Sequence, residues 1–294
     1  MYLGAATCIS FQDTFGNDNP WASLAEANSE SELIQPNYKE YVKPALLRRM
    51  STALKMGVAG GKSCLQSAGL ENCDAITVGT GLGCVRDTLR FMKVMYEEAE
   101  TGLSPTSFIQ STHNSIAGQI ALMLGNHGYN MTHVQAALSL GYALSDAELL
   151  LAEGDAETVM VGTVDEKTDE LVELLSQLAT SANVELPSIG EGGAFFLASK
   201  NKLDSSVAKM VELNLNGGIV ADANLVFSNS DEGFNYTKFG GEHFSSPGFG
   251  LYLALKAFEA GKVENSHISY DNPERVLVRH SLLGQEMSIL LERA

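Results

Sequence analysis

The chain is poor in the features that mark disulfide-bonded, metal-binding or membrane-spanning proteins. Its four cysteines form no CxxC pair and have no histidine at metal-ligand spacing: Cys8, Cys64, Cys73 and Cys84. Free thiols are therefore expected, with no disulfide, metal or other cofactor. No apolar run approaches the roughly 18 residues that a membrane span requires. The first residues, MYLGAATCIS, have no basic region and too short an apolar core for a signal peptide, which predicts a cytoplasmic protein.

Positive charge is scarce as well. Lysine and arginine number 19 against 36 aspartates and glutamates, which gives a formal net charge of -17. Nucleic acids and anionic membranes are bound through basic faces, so neither is an expected partner. Apolar sequence is plentiful, because 45% hydrophobic and 19% charged residues are ordinary for a folded globular protein. The 294 residues suffice for one large α/β domain or two coupled halves.

Strand and helix patterns alternate along the chain. A strand in MYLGAATCIS is followed by a polar loop to about residue 40, and then by one helix predicted from about 44 to Gly69. The other predicted helices cover 85–99, the segment SIAGQIALMLG, 165–180 and 247–260. The other predicted strands lie in AITVG, GGAFFLAS, 207–215, 223–228, RVLVRH and EMSILLER. This order predicts a largely parallel sheet covered on both faces, with the closing strand pair as an antiparallel edge.

One stretch has the local form of a nucleophile site. Residues 130–163, NMTHVQAALSLGYALSDAELLLAEGDAETVMVGT, predict a strand, a tight join, a helix and a second strand. Many α/β enzymes hold a catalytic side chain at such a join. Here the join contains Ala136 and Ala137, which have no reactive group.

Two glycine-rich segments resemble nucleotide-binding loops only in part. GTGLG, at 79–83, follows a strand and precedes a helix, but its last spacing differs from GxGxxG, so we interpret it as a tight turn. GGKS, at 60–63, resembles the end of a P-loop. Met56 stands where that loop requires its first glycine, within a helical pattern, which argues against a phosphate site.

One histidine and one cysteine stand out by context. His243 follows a Gly-Gly turn and immediately precedes a helix, so its ring could face a cleft near a helix N-terminus. Cys84 lies beside a predicted helix N-terminus, which would lower the pKa of its thiol. A structural alternative stays open for both: a solvated or structural histidine, and a small buried thiol with no histidine nearby in the sequence.

Several segments, in the same order, resemble the β-ketoacyl-ACP synthases. ALLRRMSTALKMGVAGGKSCLQSAGLENCDAITVGTGLGCVRDT is similar to the region in which an RRM helix leads to a strand and a VGTGxGG loop. LLLAEGDAETVMVGTVDE matches LxxGDADxxxxGxxE, and GEGGAFFLASK resembles GEGAGxLVLE. The resemblance runs from about residue 40 onward and implies the thiolase fold, an α/β layered α-β-α-β-α arrangement of two pseudo-symmetric halves. We expect one domain over 1–294, with halves of about 1–165 and 166–294 and a reduced second half.

The resemblance implies a catalytic centre of which the covalent part is missing. Condensing enzymes of this family are expected to use a cysteine and two histidines, with a lysine near the second. Aligned on GDA, the cysteine position falls on Ala137, whose methyl group cannot attack a thioester. The first histidine should follow the strand NLVFSN, where the chain offers Ser228, Asn229 and Ser230. We take Asn229 as that position.

The second histidine and its lysine are retained. TKFGGEHFSSPG matches TKSxxGHxxGAxG, which places Lys238 and His243 on the family's lysine and histidine. The closing HSLLGQEMSILL resembles NSFGFGGxNxxLV, with Leu282 or Leu283 where a gating phenylalanine is expected. Without the cysteine, no catalytic residue is expected to act in this chain alone.

A chain of this kind resembles the chain length factors of type II polyketide synthases. These proteins lack the cysteine, share the fold and form a heterodimer with an active ketosynthase. The resemblance implies a pseudoenzyme subunit that shapes the acyl tunnel at the dimer interface, in polyketide, aryl polyene, flexirubin-type or fatty-acid-like chain elongation. An acyl carrier protein is itself acidic and would dock on the partner. The candidate tunnel and interface residues are Leu82, Phe108, His113, Asn114, Met131, His133 and Gln135.

Two other interpretations stay open. The chain could be a divergent condensing enzyme or acyltransferase whose nucleophile has moved to Cys84 or Ser139 and is activated by His243. Ser139 would face away from the Ala137 position, because it lies two residues further along a helix. The chain could instead be a homodimer that binds an acyl ligand without chemistry.

Overall fold

The computed structural model describes residues 1–28, 30–97, 102–183, 188–217 and 222–294. The strands are β1 Tyr2–Ile9, β2 Ala75–Gly79, β3 Tyr129–His133, β4 Thr158–Asp165, β5 Gly192–Ser199, β6 Ser206–Asn214, β7 Leu225–Ser228, β8 Phe234–Asn235, β9 Lys262–Glu264, β10 Ser269–Asp271, β11 Arg275–Leu282 and β12 Gln285–Arg293. The α-helices are α1 Pro44–Leu47, α2 Thr52–Ser67, α3 Val85–Glu97, α4 Pro105–Gln110, α5 Ser115–Leu124, α6 Ser139–Glu153, α7 Asp169–Ala182, α8 Thr237–Gly240 and α9 Ser246–Ala260.

Ten of these strands form one mixed sheet in the order β3-β2-β4-β5-β1-β6-β12-β11-β7-β8. Parallel pairs occur only towards the two ends, in β3-β2-β4 and β11-β7-β8, and every pair between β4 and β11 is antiparallel. The prediction of a largely parallel sheet is therefore wrong. The predicted antiparallel edge is also wrong, because the closing pair β11-β12 lies inside the sheet between β7 and β6. Strands buried on both faces look alike in sequence whatever their direction.

The sheet repeats its own topology about its centre. Outward from the β1-β6 contact, the order β1, β5, β4, β2, β3 on one side matches β6, β12, β11, β7, β8 on the other. Corresponding neighbours pair in the same direction on both sides. The predicted pseudo-symmetric halves are thus confirmed at the level of strand order. Along the sequence, the chain passes from the strands on one side of the β1-β6 contact to those on the other side between β5 and β6. The single domain over 1–294, with halves at 1–165 and 166–294, stays a prediction.

The second half is shorter because its connections are shorter. Helices α1 and α2 join β1 to β2, whereas the described residues between β6 and β7 contain no helix. Helices α3, α4 and α5 join β2 to β3, but β7 and β8 are separated only by residues 229–233. Helix α9 corresponds in position to α6. The expected reduction of the second half is therefore a loss of helical crossovers and not of sheet strands.

Both faces of the sheet are covered, as predicted. Along β4, Val159 and Val161 belong to the core that contains α6 and α9, and Met160 and Val164 belong to the core that contains α2 and α5. This alternation follows from the two-residue period of a strand. Helix α2 lies close against β5, since a Cβ atom at Gly60 would be 2.5 Å from the ring of Phe195.

Two predicted helix boundaries differ from the structure. The single helix predicted from about 44 to 69 is interrupted between α1 and α2. Ser51 has extended backbone angles there, and its hydroxyl accepts a hydrogen bond from Leu54 N at 3.5 Å as the N-cap of α2. The helix predicted from 165 begins four residues later because Thr168 caps α7. The last two residues of the helix predicted over 85–99 lie outside the described ranges.

Candidate functional site

The join between β3 and α6 is a tight, closed turn. Ala136 has a φ of 49°, in the left-handed region that residues with a Cβ rarely adopt, and Ala137 is only 1% exposed. The Ser139 hydroxyl accepts from Gln135 N at 2.9 Å and donates to the carbonyl oxygens of Thr80 and Ala136. Ser139 is fully buried and its hydroxyl is committed to this turn. The join therefore has the tight turn expected of a nucleophile site, but Ala136 and Ala137 have no reactive group and the Ser139 hydroxyl is not free.

Asp165, at the end of β4, holds the glycine-rich loop that follows β2. Its carboxylate accepts hydrogen bonds from Gly81 N, Leu82 N and the Thr80 hydroxyl at 2.9–3.0 Å, and from the Ser245 hydroxyl at 2.5 Å. Burial raises the pKa of Asp165, and these four donors oppose that shift. The loop is therefore a structural turn that surrounds a carboxylate, which agrees with our interpretation of GTGLG.

Glu166 joins the N-termini of two helices. Its side chain is fully buried and accepts from Ala53 N, in the first turn of α2, and from Arg86 N, in the first turn of α3, both at 3.0 Å. Unsatisfied N–H groups at helix N-termini favour such a carboxylate. Burial raises the pKa of Glu166, and the N–H groups of Arg86 and Ala53 counteract it. This side chain fixes both helices beside the loop.

Cys84 is unsuited to be a nucleophile. The residue is fully buried immediately before α3, and burial raises the pKa of its thiol above the ordinary value, with Glu166 the next contribution. The prediction that the helix N-terminus lowers this pKa is wrong, because desolvation and nearby carboxylates outweigh the helix. All four cysteines are buried and free.

His243 lies in an apolar cavity of about 400 Å³. The cavity is lined by Leu82, Asp165, Glu166, Leu171, Leu175, Ile189, Gly190, Glu242, His243, Phe244, Leu282 and Leu283. A Cβ atom at Gly190 would be 2.9 Å from the His243 ring, so the glycine makes room for it. Nδ1 of His243 is buried and accepts or donates no hydrogen bond within the described chain. Burial lowers the pKa of His243 to about 3, which keeps the ring neutral.

A buried polar cluster beside His243 was missed by the sequence analysis. Nδ1 of His280 lies 2.7 Å from the Tyr236 hydroxyl, and its Nε2 lies 3.6 Å from Oε1 of Glu242. Oε1 also accepts from the Ser246 hydroxyl, and Oε2 accepts from Asn229 Nδ2 at 3.2 Å. The motif comparison contained a signal for this cluster: Glu242 stands in place of the family's glycine before the histidine, and His280 in place of the asparagine in NSFGFGG.

The structure separates Lys238 from His243. Lys238 lines a second, polar cavity of about 620 Å³ and its Nζ donates to Asp231 Oδ1 at 3.0 Å. This hydrogen bond raises the pKa of Lys238. Asn229 and Glu242 line the same polar cavity. Glu242 lines both cavities, so it lies between Lys238 and His243.

The candidate interface residues lie in and near the edge strand β3. Met131 is 41% exposed, and Tyr129 and Val134 beside it are similarly exposed. His133 Nε2 lies 2.9 Å from Asp146 Oδ2. The other candidates are Gln135 and Asn114, both exposed, Phe108, which packs on Phe91, His113, which packs on Gly83, and Leu82, which lines the apolar cavity. Among the residues that the structure describes, β3 pairs only with β2, so its other edge has no strand partner there.

Metal and membrane features were searched across the described ranges. No group of three histidine, cysteine, aspartate or glutamate side chains in these ranges is arranged to hold a metal ion. Within the same ranges, no helix has the length and apolar character needed to cross a membrane.

The fold and these motifs place the chain in a known family. The family model of the β-ketoacyl synthase N-terminal domain matches residues 20–213, so the chain belongs to this family. The 3-oxoacyl-[acyl-carrier-protein] synthase 2 of Vibrio cholerae serotype O1 is 22% identical over 190 residues, which cover 63% of this chain and 42% of that protein. The chain therefore matches less than half the length of this curated relative.

Solved structures of ketosynthases share the fold. The ishigamide ketosynthase/chain length factor aligns with a TM-score of 0.77 at 14% identity, covering 100% of this chain and 99% of that chain. A ketosynthase in complex with its chain length factor from Xenorhabdus doucetiae aligns with a TM-score of 0.61 at 12% identity, covering 100% of both chains. The thiolase-like fold expected from the sequence is confirmed.

Proposed function

We propose that this chain is a non-catalytic, chain length factor-like subunit that pairs with an active β-ketoacyl-ACP synthase. The observation that carries the proposal is Ala137, which is buried at the nucleophile position while the surrounding architecture is complete. Asp165, Glu166 and Ser139 still hold the loop, the helices and the turn around that position. A chain that has kept the frame and lost the reactive atom can support a partner but cannot form an acyl-enzyme.

The alternative of a relocated nucleophile has little support in the geometry. Cys84 is buried with a raised pKa, and the Ser139 hydroxyl is fully buried and hydrogen-bonded. The buried Nδ1 of His243 has no hydrogen-bond partner in the described chain, so it contacts neither side chain by a hydrogen bond. A nucleophile and its base must lie within hydrogen-bond reach, which neither residue satisfies.

The open edge of β3 is the proposed contact with the ketosynthase. An unpaired strand edge can form a sheet with a strand of another chain. Met131 and Tyr129 on β3, and Val134 just after it, are exposed apolar residues that such a contact would bury. The names of similar structures, a ketosynthase/chain length factor and a ketosynthase with its chain length factor, support this pairing. We further propose polyketide or polyene chain elongation, of the aryl polyene or flexirubin type, with an acyl carrier protein that delivers its chain to the complex.

Co-purification with the ketosynthase tests the proposal. We expect a tagged form of this chain to retain a co-expressed ketosynthase, and Met131→Lys to weaken that retention by placing a charge at β3. Val211→Lys is the matched control, because Val211 is also an exposed apolar strand residue, on β6. If the untagged ketosynthase is not retained, or if both variants behave alike, β3 is not the interface.

Acyl loading tests the absence of catalysis. After incubation with acyl-loaded carrier protein, intact mass spectrometry should show the acyl group on the ketosynthase and none on this chain. A thioester on any of its four cysteines would contradict the proposal.

A further inference from the structure

Glu242 lies between the two cavities described above. It lines both the polar cavity and the apolar one, and Leu282 lines both as well. The Glu242 side chain is only 11% exposed, so it fills space inside the protein and does not extend into solvent. In the motif comparison the family has a glycine at this position. The glutamate therefore occupies space that a glycine would leave empty.

Hydrogen bonds hold both carboxylate oxygens of Glu242. Oε1 accepts from the Ser246 hydroxyl at 2.9 Å, and Oε2 accepts from Asn229 Nδ2 at 3.2 Å. Asn229 is itself fixed, because its Nδ2 donates to Ser281 O at 2.8 Å and its Oδ1 accepts from Ser281 N at 2.9 Å. The carboxylate is therefore tied to the first turn of α9 on one side and, through Asn229, to β11 on the other.

The backbone of Glu242 is held as well as its side chain. Glu242 N donates to Ser188 O at 2.7 Å, and Glu242 O accepts from Gly190 N at 3.1 Å. These bonds accompany a parallel β-bridge between Ile189 and Glu242. Rotation of the side chain would take the buried carboxylate away from its donors, which is unfavourable. Glu242 is thus a fixed wall and not a mobile gate.

The wall separates two spaces of opposite character. Apolar side chains form most of the surface of the smaller cavity, among them Leu82, Leu171, Leu175, Ile189 and Phe244. Polar side chains predominate in the larger cavity, among them Ser188, Asn235, Thr237 and Lys238. A molecule with a polar part and an apolar chain would need both spaces at once. The Glu242 side chain stands in the way of such a molecule.

We propose that Glu242 is a specificity-determining residue that divides one passage into two dead-end cavities. An apolar chain that enters past Leu283, which is 77% exposed and lines the apolar cavity, stops at Glu242. The size of the side chain, and not its charge, produces the block. The biological role rests on the proposed function: a subunit closed in this way cannot draw the growing acyl chain of the ketosynthase into its own interior.

Calorimetric titration of the full chain with hexyl, octyl, decyl and dodecyl maltoside, below their micelle concentrations, tests the proposal. The sugar is strongly hydrated and stays in water, so the alkyl chain alone enters the cavity. Each methylene that becomes buried should raise the affinity about fourfold until the chain meets the wall. We expect the affinity of the native chain to stop rising before the dodecyl probe. A steady rise across the whole series, or binding of none of the probes, would overturn the proposal.

Substitutions at Glu242 separate size from charge. Glu242→Ala removes the wall, so dodecyl maltoside should bind about tenfold more tightly or better than it binds the native chain. Glu242→Gln keeps the size of the side chain and removes its charge, so its affinities should level off where the native ones do. Glu212→Ala changes an exposed glutamate on β6 and should leave the whole series unchanged.

Two results would contradict the role of Glu242. Affinities in Glu242→Ala that level off at the native chain length would mean that another residue forms the wall. An equal rise in Glu242→Gln and Glu242→Ala would mean that charge, and not size, produces the block. If Glu242→Ala does not fold, Glu242→Asp takes its place: it is shorter by one methylene, so dodecyl maltoside should bind about fourfold more tightly.

A failure of this proposal can be told apart from a failure of the proposed function. Probe binding is measured on this chain alone, whereas pairing is measured by retention of the ketosynthase. If Glu242→Ala admits the longer probe and no ketosynthase is retained, the wall is kept and the pairing is refuted. If a ketosynthase is retained and the native affinities rise without a break, the wall is refuted and the pairing is kept.

Discussion

Asp165 is the residue on which the glycine-rich loop after β2 depends. Asp165→Ala would leave Gly81 N, Leu82 N and the hydroxyls of Thr80 and Ser245 without their acceptor in a buried place. We expect the free energy of unfolding to fall by about 2–4 kcal/mol, even after the cost of burying the carboxylate is removed. Urea denaturation measures this change. Asp155→Ala, an exposed aspartate, is the control and should change stability by less than about 0.5 kcal/mol. A similar small loss for both would show that the hydrogen bonds of Asp165 contribute little.

His280 makes stability depend on pH in a direction that can be derived. Burial lowers its pKa from 6.5 to about 3, and the neighbouring His243 adds to this shift. Between about pH 6.5 and pH 3, His280 is protonated in the unfolded chain but neutral in the folded chain. The free energy of unfolding therefore decreases as the pH falls through this range. Compared with His280→Gln, the native chain should lose about 2 kcal/mol between pH 7 and pH 5. Denaturant titrations at the two pH values measure the difference, with the exposed His127→Gln as control.

The hairpin between β11 and β12 contains an unusual turn residue at the cavity mouth. Leu283 has a φ of 55° and is 77% exposed, and Gly284 follows with a φ of 76°. Asparagine normally occupies this first position of such a turn. We expect Leu283→Asn to raise the free energy of unfolding by about 0.5–1 kcal/mol, as measured by urea denaturation. Leu282→Asn should not stabilise, because Leu282 lines the cavity. A loss of stability in Leu283→Asn would mean that the leucine packs on the fold and contributes more than its backbone conformation costs.

Sequence reasoning succeeded for elements whose pattern is local. Helix α9 was predicted near its true bounds and α6 was predicted within residues 130–163, because the apolar spacing and the C-terminal glycine of each, Gly261 and Gly154, are contained in one segment. Strand direction could not be predicted in this way, since it depends on which distant strand becomes the neighbour. The motif comparison marked Glu242 and His280 as departures from the family, but their contact could not be predicted, because it joins the turn before α9 to the strand β11.

Although the whole molecule has a negative net charge, part of its positive charge is concentrated in one segment. Residues 39–62 contain six of the 19 basic residues and a single acidic one, Glu40. Within this basic segment, Lys39, Lys43, Arg48 and Arg49 are exposed. An acidic carrier protein could therefore meet attraction on this chain as well as on its partner.

Charge reversal in this segment tests which subunit attracts the carrier. We expect Arg48→Glu with Arg49→Glu to slow association of an acidic carrier protein with the assembled complex about tenfold at low salt, and the effect to shrink as salt is added. Stopped-flow fluorescence measures the rate. Lys200→Glu with Lys202→Glu makes the same change of charge elsewhere and is the control. Equal association rates for the two double variants would mean that the carrier protein docks on the ketosynthase alone.

The central position of β1 has a consequence for how the chain is made. β1 comes first of the ten sheet strands, yet its partners are β5 and β6, since Tyr2 pairs with both Ser199 and Lys209. During synthesis this apolar strand cannot pair with either neighbouring strand until most of the chain has been translated. Contacts so distant in sequence slow folding and leave apolar surface open to aggregation in the meantime. The two halves of the sheet are thus joined late, and production of the protein should depend on chaperones more than its size suggests.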